Sequence, residues 1–377
     1  YNSDWDVNAE YVENIIKDAK TDVDAEAKKI EGLFGNMKFD VVIGNPPYQQ
    51  EGKGESTRSE PIYNSFMDLS YKLADLVTLI TPGRFLFNAG QTPKAWNKKM
   101  LSDPHLKVVL YNQVSSDIFP RTDIKGGVAV TLRDTSKDYG EIGVFTPFEQ
   151  LNAVVKKVKQ HSDVYLSSFV SSRGLYRFSN TFFEDHPEAK NQLGKGTGNM
   201  IVSNVFEKLP EIFVENPSDE VDYYRFIGRL GSSRVYRYVL KKYINNNDYI
   251  NTYKVMLPKS NGSGALGEVL STPLIGAPLI GATDTFISVG PVNNETEAIA
   301  LLKYIKSKFA RAMLGVKKVT QDNPKSVWDC VPLQDFTPNS DIDWTKSIPE
   351  IDQQLYKKYN LSEDEINFIE TKVQAMD

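Results

Sequence analysis

Apolar and polar positions switch between helix-like and strand-like spacing through the first 160 residues. Residues 7–34 mix charged and apolar positions with no glycine before Gly32, which predicts one helix. The apolar run at residues 39–43 ends in Gly-Asn-Pro-Pro and predicts a buried strand that enters a loop. A helix is predicted at residues 61–74. Further strands are predicted at residues 76–80, 107–111 and 127–132, so we expect an α/β layer with a mainly parallel sheet.

The pattern changes in the second half of the chain. Thr146-Pro147-Phe148-Glu149 has the form of a capping box and predicts a helix that ends near Gln160. From residue 165 to about residue 290, short strand-like runs alternate with glycine-rich turns, which is typical of an α+β domain. A basic helix is predicted at residues 294–318. We therefore predict three parts, namely residues 1–160, residues 161–335 and a helical segment at residues 336–377.

Composition excludes several classes of protein. The 377 residues are 40% hydrophobic and 25% charged, which is ordinary for globular proteins and excludes disordered or collagen-like chains. Cys330 is the single cysteine, so no internal disulfide can form and we expect a reducing cytoplasm. The apolar stretches are shorter than the roughly 18 residues of a membrane span, so no membrane partner is expected. The chain starts without Met or a signal peptide, and we expect an N-terminal truncation.

Charge is distributed unevenly along the chain. The net charge is −5, but residues 1–40 and 338–377 together carry −10, which leaves +5 in the middle. One basic segment in that middle contains Arg225, Arg229, Arg234, Arg237, Lys241, Lys242, Lys254 and Lys259. A second basic run contains Lys303, Lys306, Lys308, Arg311, Lys317 and Lys318. Both are compatible with contacts to nucleic-acid phosphates, although a solvated face would have the same composition.

The tetrapeptide Asn45-Pro46-Pro47-Tyr48 carries the clearest chemical signal. Asn45 offers a side-chain carbonyl, and Pro46 offers a backbone carbonyl that Pro47 biases towards an extended conformation. Two such acceptors can bind the two N–H bonds of one planar exocyclic amine and free its lone pair. The neutral amine can then attack a methyl group on a sulfonium without a general base. Tyr48 offers an aromatic face on which a base can stack.

On these residues the chain resembles the amino-methyltransferases, most closely the gamma-class adenine-specific DNA methyltransferases of type II restriction-modification systems. The similarity continues through residues 62–66 and 79–85, and in Asp117-Ile118-Phe119-Pro120. The resemblance implies a partial Rossmann-like, S-adenosylmethionine-dependent methyltransferase sheet in residues 1–160. It also implies that Asn45 and Pro46 bind the amine while Tyr48 and Phe119 hold a flipped adenine. An enclosed pocket cannot reach the amine of a paired base, so we expect base flipping.

The resemblance extends loosely into the second half, where residues 161–335 look like an α+β target-recognition domain. Residues 226–234 and 281–286 carry this similarity. It implies double-stranded DNA as partner, with Arg225, Arg229, Arg234 and Arg237 as candidate contacts. A restriction subunit or a fused nuclease region is a further expected partner.

One departure from the family concerns the cofactor. The family's glycine-rich cofactor motif lies upstream of the Asn-Pro-Pro-Tyr loop, and the 44 residues before Asn45 contain no such turn. The resemblance implies S-adenosylmethionine as cofactor, yet its binding residues in this chain stay unassigned. No metal site is expected, because the three histidines lack ligand spacing.

Three alternatives remain open at this stage. The first is an amino-methyltransferase that acts on RNA or on a protein glutamine, since these enzymes also use an Asn-Pro-Pro-Tyr loop. The second is a non-catalytic DNA-binding fragment, which the missing cofactor motif favours. The third is cytosine as the target base, because it has a similar exocyclic amine.

Overall fold

The computed structural model describes residues 9–50, 60–88, 91–124, 126–193, 198–218, 222–318 and 320–376. The chain divides into two compact units, Tyr1–Phe148 and Glu149–Asp377. The helices of the first unit are α1 (Ala9–Thr21), α2 (Val23–Leu33), α3 (Tyr63–Leu73) and α4 (Lys94–Leu101). Its strands are β1 (Phe39–Gly44), β2 (Gln49–Gln50), β3 (Glu60–Pro61), β4 (Ala74–Pro82), β5 (Leu106–Asn112) and β6 (Val128–Asp134).

The main sheet of the first unit has the strand order β1-β4-β6-β5. Strands β1 and β4 pair in parallel, with Gly44 opposite Leu79. Strand β6 runs antiparallel to both β4 and β5, so β1, β4 and β5 share one direction. The prediction of a mainly parallel sheet therefore holds for three strands and is wrong for β6. Alternation of apolar residues is the same in both directions and does not reveal the orientation of a strand.

The predicted helix at residues 7–34 is two helices in the structure, and residues 7 and 8 lie outside the described part. Asp22 separates α1 from α2, because its carboxylate accepts the backbone N–H groups of Asp24 and Ala25 at 3.1 and 3.0 Å. This is an N-cap, which satisfies donors that have no partner within the helix. Asp22 precedes these two N–H groups by two and three residues, which is the spacing of an N-cap. The cap favours two separate helices over one continuous helix.

Strand β1 is less buried than its sequence predicts. One face packs through Val42 against Leu69 and Leu73 of α3. On the strand, however, Val41 is 42% exposed and Ile43 is 78% exposed. Among the described residues β1 pairs only with β4, so its other edge is open. The expectation of a buried strand is therefore wrong for β1, because side chains alternate between faces and no described element covers the face that carries Val41 and Ile43.

The second unit contains eight helices and six strands among the described residues. The helices are α5 (Glu149–His161), α6 (Asn180–Asp185), α7 (Ala189–Leu193), α8 (Val205–Lys208), α9 (Glu295–Lys306), α10 (Lys308–Gly315), α11 (Ile348–Lys358) and α12 (Glu363–Lys372). The strands are β7 (Tyr223–Leu230), β8 (Ser233–Leu240), β9 (Tyr253–Pro258), β10 (Leu274–Gly276), β11 (Ile280–Ala282) and β12 (Phe286–Val292). The strands form two three-stranded sheets, β10-β9-β12 and β11-β7-β8. The predicted basic helix is broken at Ser307, whose hydroxyl caps α10.

The core of the second unit is aromatic and lies beside β7. Phe226 is fully buried, and its ring centroid lies 5.3 Å from that of Tyr176 and 6.2 Å from that of Phe213. Gly281 pairs with Phe226 in a parallel register, and a Cβ at Gly281 would lie 2.5 Å from the Phe226 ring. The structure thus joins the two segments, residues 226–234 and 281–286, on which the prediction of a target-recognition domain rests.

The unit boundary lies before α5 and not near residue 160. Helix α5 packs on α12, where Lys157 Nζ donates to Asn360 O and Glu365 Oε2, both at 2.8 Å. The segment at residues 336–377 is likewise part of the second unit, since α11 packs on α9 and α10. These contacts form between distant parts of the chain, so local composition did not predict them. Among the described helices, none is both long and apolar enough to cross a bilayer.

Candidate active site and nucleic-acid interface

A cleft of about 550 Å³ lies where β1 and β4 end. The two strands are parallel neighbours, so their carboxyl ends meet at one edge of the sheet. The residues after β1 and those after β4 therefore face the same space. The cleft is lined by Asn45, Pro46, Pro47, Tyr48, Gln49, Arg84, Asp123 and Ile124.

The Asn45–Tyr48 loop is held at both ends. It begins where β1 ends at Gly44, and it leads into β2, which pairs with β3 through Gln49 and Pro61. The Ile62 N–H group, just before α3, donates to the Tyr48 carbonyl at 3.2 Å. These attachments fix an irregular loop without regular structure of its own. The structure thus brings together Asn45 and Pro46, which the sequence assigned to the reacting amine, and Tyr48, which it assigned to the ring of the base.

Tyr48 lines the cleft, and its hydroxyl is buried. Burial raises the pKa of the Tyr48 phenol, and the nearby Asn45 side chain lowers this pKa by a smaller amount. The phenol is therefore neutral at neutral pH. Asn45 itself is exposed to the cleft. A neutral aromatic ring beside an accessible amide suits a planar, uncharged base.

Phe119 lies in the loop between β5 and β6 but is not among the residues that line the cleft. The same loop contributes Asp123 and Ile124 to the lining. Ser115 braces it, because its hydroxyl accepts the Ile124 N–H group at 2.8 Å. Phe119 is partly buried and its N–H group donates to the Ser115 carbonyl at 2.8 Å. Its proposed contact with a base stays a prediction.

Arg84 is a cleft residue that the sequence did not single out. It directly follows Pro82 and Gly83, at the end of the strand next to β1. A signal was present, since residues 79–85 resemble a strand and its turn. Only the neighbouring positions of β1 and β4 in the sheet, however, place Arg84 opposite Asn45.

The N-terminal part of the chain is similar to known methylases. Residues 1–119 match the Eco57I restriction-modification methylase family. This match confirms the resemblance that Asn45-Pro46-Pro47-Tyr48 predicts, and it includes Arg84. An uncharacterized adenine-specific methylase of Mycoplasma pneumoniae is 33% identical over 99 residues, which are 25% of this chain and 23% of that protein.

Two solved structures also show limited similarity. The type IIG restriction endonuclease BpuSI has a TM-score of 0.31 and 11% identity, over 93% of this chain and 52% of that chain. The type IIL restriction-modification enzyme MmeI, solved in complex with DNA, has a TM-score of 0.31 and 8% identity, over 88% of this chain and 56% of that chain. This chain therefore spans about half of each solved chain and about a quarter of the Mycoplasma methylase.

Beyond the part that matches the methylase family, three of the four predicted arginines share one face of the β7–β8 hairpin. Arg229 lies directly opposite Arg234, and Arg225 lies opposite Tyr238. The Arg225 guanidinium lies 4.0 Å from the Tyr236 ring centroid, which is a cation–π contact. These three arginines are exposed and form no ion pair with any described residue. We call Arg225, Arg229 and Arg234 the arginine face.

Arg237 does not belong to the arginine face. It lies opposite Phe226, whose side chain points to the core side of the hairpin. Its guanidinium donates to the Tyr236 carbonyl at 2.8 Å and lies 3.8 Å from Glu215. The sequence predicted all four arginines as DNA contacts, and the structure separates Arg237 from the other three because successive strand residues alternate between faces.

The lysines of the same basic segment have internal partners. Lys241, Lys242 and Lys259 pair with carboxylates at 3.5, 2.7 and 3.6 Å. Lys254 is fully buried and donates to the carbonyls of Thr252 and Ala277, both at 3.1 Å. Burial lowers the pKa of Lys254 to about 7. The exposed positive charge without a carboxylate partner in this segment is thus concentrated on the arginine face, although Arg225 and Arg234 contact aromatic rings and Arg229 donates to the Gly231 carbonyl.

The cations of the second basic run, residues 303–318, contact other groups within the protein. Lys308, Lys317 and Lys318 pair with Glu370, Asp329 and Glu268 at 2.6, 2.9 and 2.8 Å. Lys303 donates to three backbone carbonyls at residues 344–346, and the buried Arg311 donates to carbonyls that include those of Lys306 and Gln374. These cations are occupied within the protein, so this run is a poor candidate for phosphate contacts.

No described residue is assigned to the methyl donor. The cleft lining supplies groups for a base but no glycine-rich turn, and the edge of β1 beside it is open. Among the described residues, we also find no cluster of three or more histidine, cysteine or acidic side chains that could hold a metal ion.

Proposed function

We propose that this chain contributes the base-binding part and the recognition region of an adenine-specific DNA methyltransferase of a restriction-modification system. One observation carries the proposal. The Asn45–Tyr48 loop lines a cleft at the carboxyl ends of two parallel strands, within residues that match a restriction-modification methylase family. Open α/β sheets bind their ligands at this edge.

In the proposed reaction the Asn45 side-chain carbonyl and the Pro46 backbone carbonyl accept the two N–H bonds of the adenine amine. Both residues line the cleft, and Pro47 restricts the conformation of Pro46. The two acceptors draw the nitrogen towards a pyramidal geometry, so its lone pair becomes available. S-adenosylmethionine is the proposed donor and supplies an electrophilic methyl group. The Tyr48 ring holds the base against the loop, and Phe119 is the proposed partner on the other face.

The residues that hold S-adenosylmethionine are proposed to lie outside the described residues. Val41 and Ile43 of β1 are exposed on the face opposite Val42, and Leu33 and Met37 just before the strand are exposed too. Parallel sheets in α/β proteins are normally covered on both faces, so we expect further chain to cover this apolar face beside the cleft.

The arginine face is the proposed DNA contact of the second unit. Like charges placed directly opposite each other, as in Arg229 and Arg234, repel unless an anion lies between them. DNA phosphates or guanine edges are suitable acceptors for such guanidinium groups. Arg237 serves as a matched control, since it is on the same hairpin but faces the core.

Replacing single members of the arginine face should weaken DNA binding. If Arg225, Arg229 or Arg234 contacts a phosphate, its change to alanine should reduce the slope of log affinity against log salt by about 0.9. A base-reading arginine should instead cost about 1–3 kcal/mol at one position of the site. Fluorescence anisotropy over a salt series measures both effects. Unchanged affinity and slope in all three variants, or an equal effect of Arg237→Ala, would contradict the assignment.

Tyr48→Ala should weaken capture of the flipped base by about 1–3 kcal/mol, because a stacking surface is lost. Tyr48→Phe and Tyr48→Trp keep an aromatic face and should be tolerated. The Tyr48 hydroxyl is buried and contributes nothing to the cleft surface in this interpretation. The probe is 2-aminopurine at the target position, whose fluorescence rises when it leaves the stack. The absence of any rise with the unchanged enzyme would argue against flipping.

Sequencing of modified bases tests the proposed function as a whole. The complete gene is expressed in a host that lacks adenine and cytosine methylation, and the genome is sequenced for both marks. Methylation of adenine at one recurring sequence is expected, with none in cells that carry Asn45→Ala. Methylated cytosine would change the target base. Methylated RNA or protein without DNA methylation would favour the first alternative, and DNA binding without any methylation would favour the second.

A further inference from the structure

Arg84 is a cation in the cleft whose hydrogen-bonding capacity is not used. It lines the same space as Asn45 and Tyr48. Its Nε atom is buried without a hydrogen-bond partner, and its guanidinium forms no ion pair with the described residues. Arg133, in the same unit, contrasts with it, because its Nε donates to Asp103 at 2.8 Å. A partly buried guanidinium without a partner indicates a group whose acceptor comes from outside the chain.

The backbone around Arg84 holds it in place. The Gly83 N–H group, one residue earlier, donates to the Gly127 carbonyl at 2.9 Å. Gly126 packs against Arg84 so closely that a Cβ there would lie 2.7 Å from the Arg84 Cβ. The Tyr111 hydroxyl donates to the Gly126 carbonyl at 3.2 Å. The end of β4 and the loop before β6 are thus joined around Arg84, which fixes where its side chain starts.

The chemistry of the ligand follows from the charge. The base and sugar of a nucleotide are neutral at neutral pH, and its formal negative charge lies on the phosphodiester. A guanidinium offers a planar fork of donors that matches two phosphate oxygens. A base placed between Asn45 and Tyr48 would bring its own backbone to the mouth of this cleft, which Arg84 also lines.

We propose that Arg84 binds a phosphodiester adjacent to the extruded adenosine and thereby holds the flipped base in the cleft. This inference rests on the proposed function. Arg84 is a positioning residue here, since it contacts the backbone of the target nucleotide and not its reacting amine. Its contact forms only after the base has left the helix, so it favours the flipped state over the stacked state.

The test combines Arg84→Gln with neutral backbone probes in the complete enzyme. The duplex contains the methylated sequence found by genome sequencing, with a single methylphosphonate on the 5′ or the 3′ side of the target adenine. On a duplex with unmodified phosphates, Arg84→Gln should lower kcat/KM by about 10- to 100-fold, the usual range for a charged hydrogen bond. It should also lower the fluorescence of 2-aminopurine placed at the target position. With the unchanged enzyme, one of the two methylphosphonates should lower kcat/KM by the same factor. Arg84→Gln combined with that methylphosphonate should lower kcat/KM no further than either change alone.

Matched variants separate this contact from general effects. Arg84→Lys should recover part of the loss, because it restores the charge without the fork. Lys98→Gln removes the same charge from an exposed position on α4 outside the cleft lining and should behave as the unchanged enzyme. Affinity for S-adenosylmethionine alone, measured by calorimetry, should be the same in the Arg84→Gln variant. A weaker cofactor affinity with normal DNA effects would assign Arg84 to the donor's carboxylate and overturn the proposal.

The methylphosphonate series remains decisive even where Arg84→Gln fails to fold. The proposal is overturned if neither methylphosphonate lowers kcat/KM of the unchanged enzyme. It is also overturned if the methylphosphonate and Arg84→Gln lower kcat/KM by fully additive amounts. Failure of the proposed function is a different result. In that case the unchanged enzyme methylates no adenine in the genome, whereas here it methylates normally and only the role of Arg84 is wrong.

Discussion

Asn45→Ala is expected to lower kcat for methyl transfer by about 10²–10³-fold, the range found when one polar group is removed from the charge-stabilising site of an enzyme. The side chain lines the cleft and is assigned only to the reacting amine. DNA affinity should stay within a few-fold, because phosphate contacts dominate it. Single-turnover methylation and DNA-binding measurements separate the two quantities.

Asn45→Asp is the informative companion to this change. It keeps an oxygen acceptor at the same position, so it should retain more activity than the alanine variant. A rate above one tenth of the unchanged enzyme for Asn45→Ala would remove Asn45 from the proposed mechanism. Equal loss of DNA affinity and rate would instead indicate that Asn45 acts through binding.

Phe226→Ala is expected to reduce the free energy of unfolding of the second unit by about 3–5 kcal/mol. The ring is fully buried and contacts Tyr176 and Phe213, so its removal leaves a cavity and breaks two aromatic contacts. Urea denaturation followed by circular dichroism measures the change. Because β7 also carries Arg225 and Arg229, DNA affinity should fall with the loss of folded protein.

Phe226→Leu provides the control, since it keeps most of the apolar volume and should cost much less. Gly281→Ala tests the same contact from the other side, because its Cβ would lie 2.5 Å from the ring. Overpacking of this kind typically costs about 1–3 kcal/mol. A loss below about 1 kcal/mol for Phe226→Ala would show that the core tolerates the cavity and that the hairpin is held by other contacts.

The arginine assignment illustrates how far strand periodicity reaches. Arg225 and Arg229 are four positions apart and share a face of any straight strand, whereas Arg234 and Arg237 are three apart and cannot. Spacing alone therefore excluded one arginine of the Arg234/Arg237 pair from a shared face. It did not identify which one faces the core, because that depends on the two-residue turn at Gly231 and Ser232. This turn places Arg234 opposite Arg229, and hence on the exposed side.

The second basic run shows that the charges along a sequence do not reveal which cations are paired in the fold. Its lysines and arginine have no acidic neighbours in sequence, yet Lys308 pairs with Glu370 and Lys318 with Glu268 in the fold. A count of charged residues does not show which of them form ion pairs. Only tertiary contacts between residues about fifty positions apart or more reveal that these cations are occupied.

The sequence by itself determined the strand that ends at Gly44 and the loop from Asn45 to Tyr48, and it is the source of the prediction that this loop binds an amine, because each depends on residues adjacent in the chain. Tertiary structure decided which other residues share the cleft. Arg84 lies next to the loop because β4 pairs with β1, and Asp123 joins them because the loop between β5 and β6 returns to the same edge of the sheet. Strand order is set by packing between distant segments, and a local pattern of apolar residues carries no information about it.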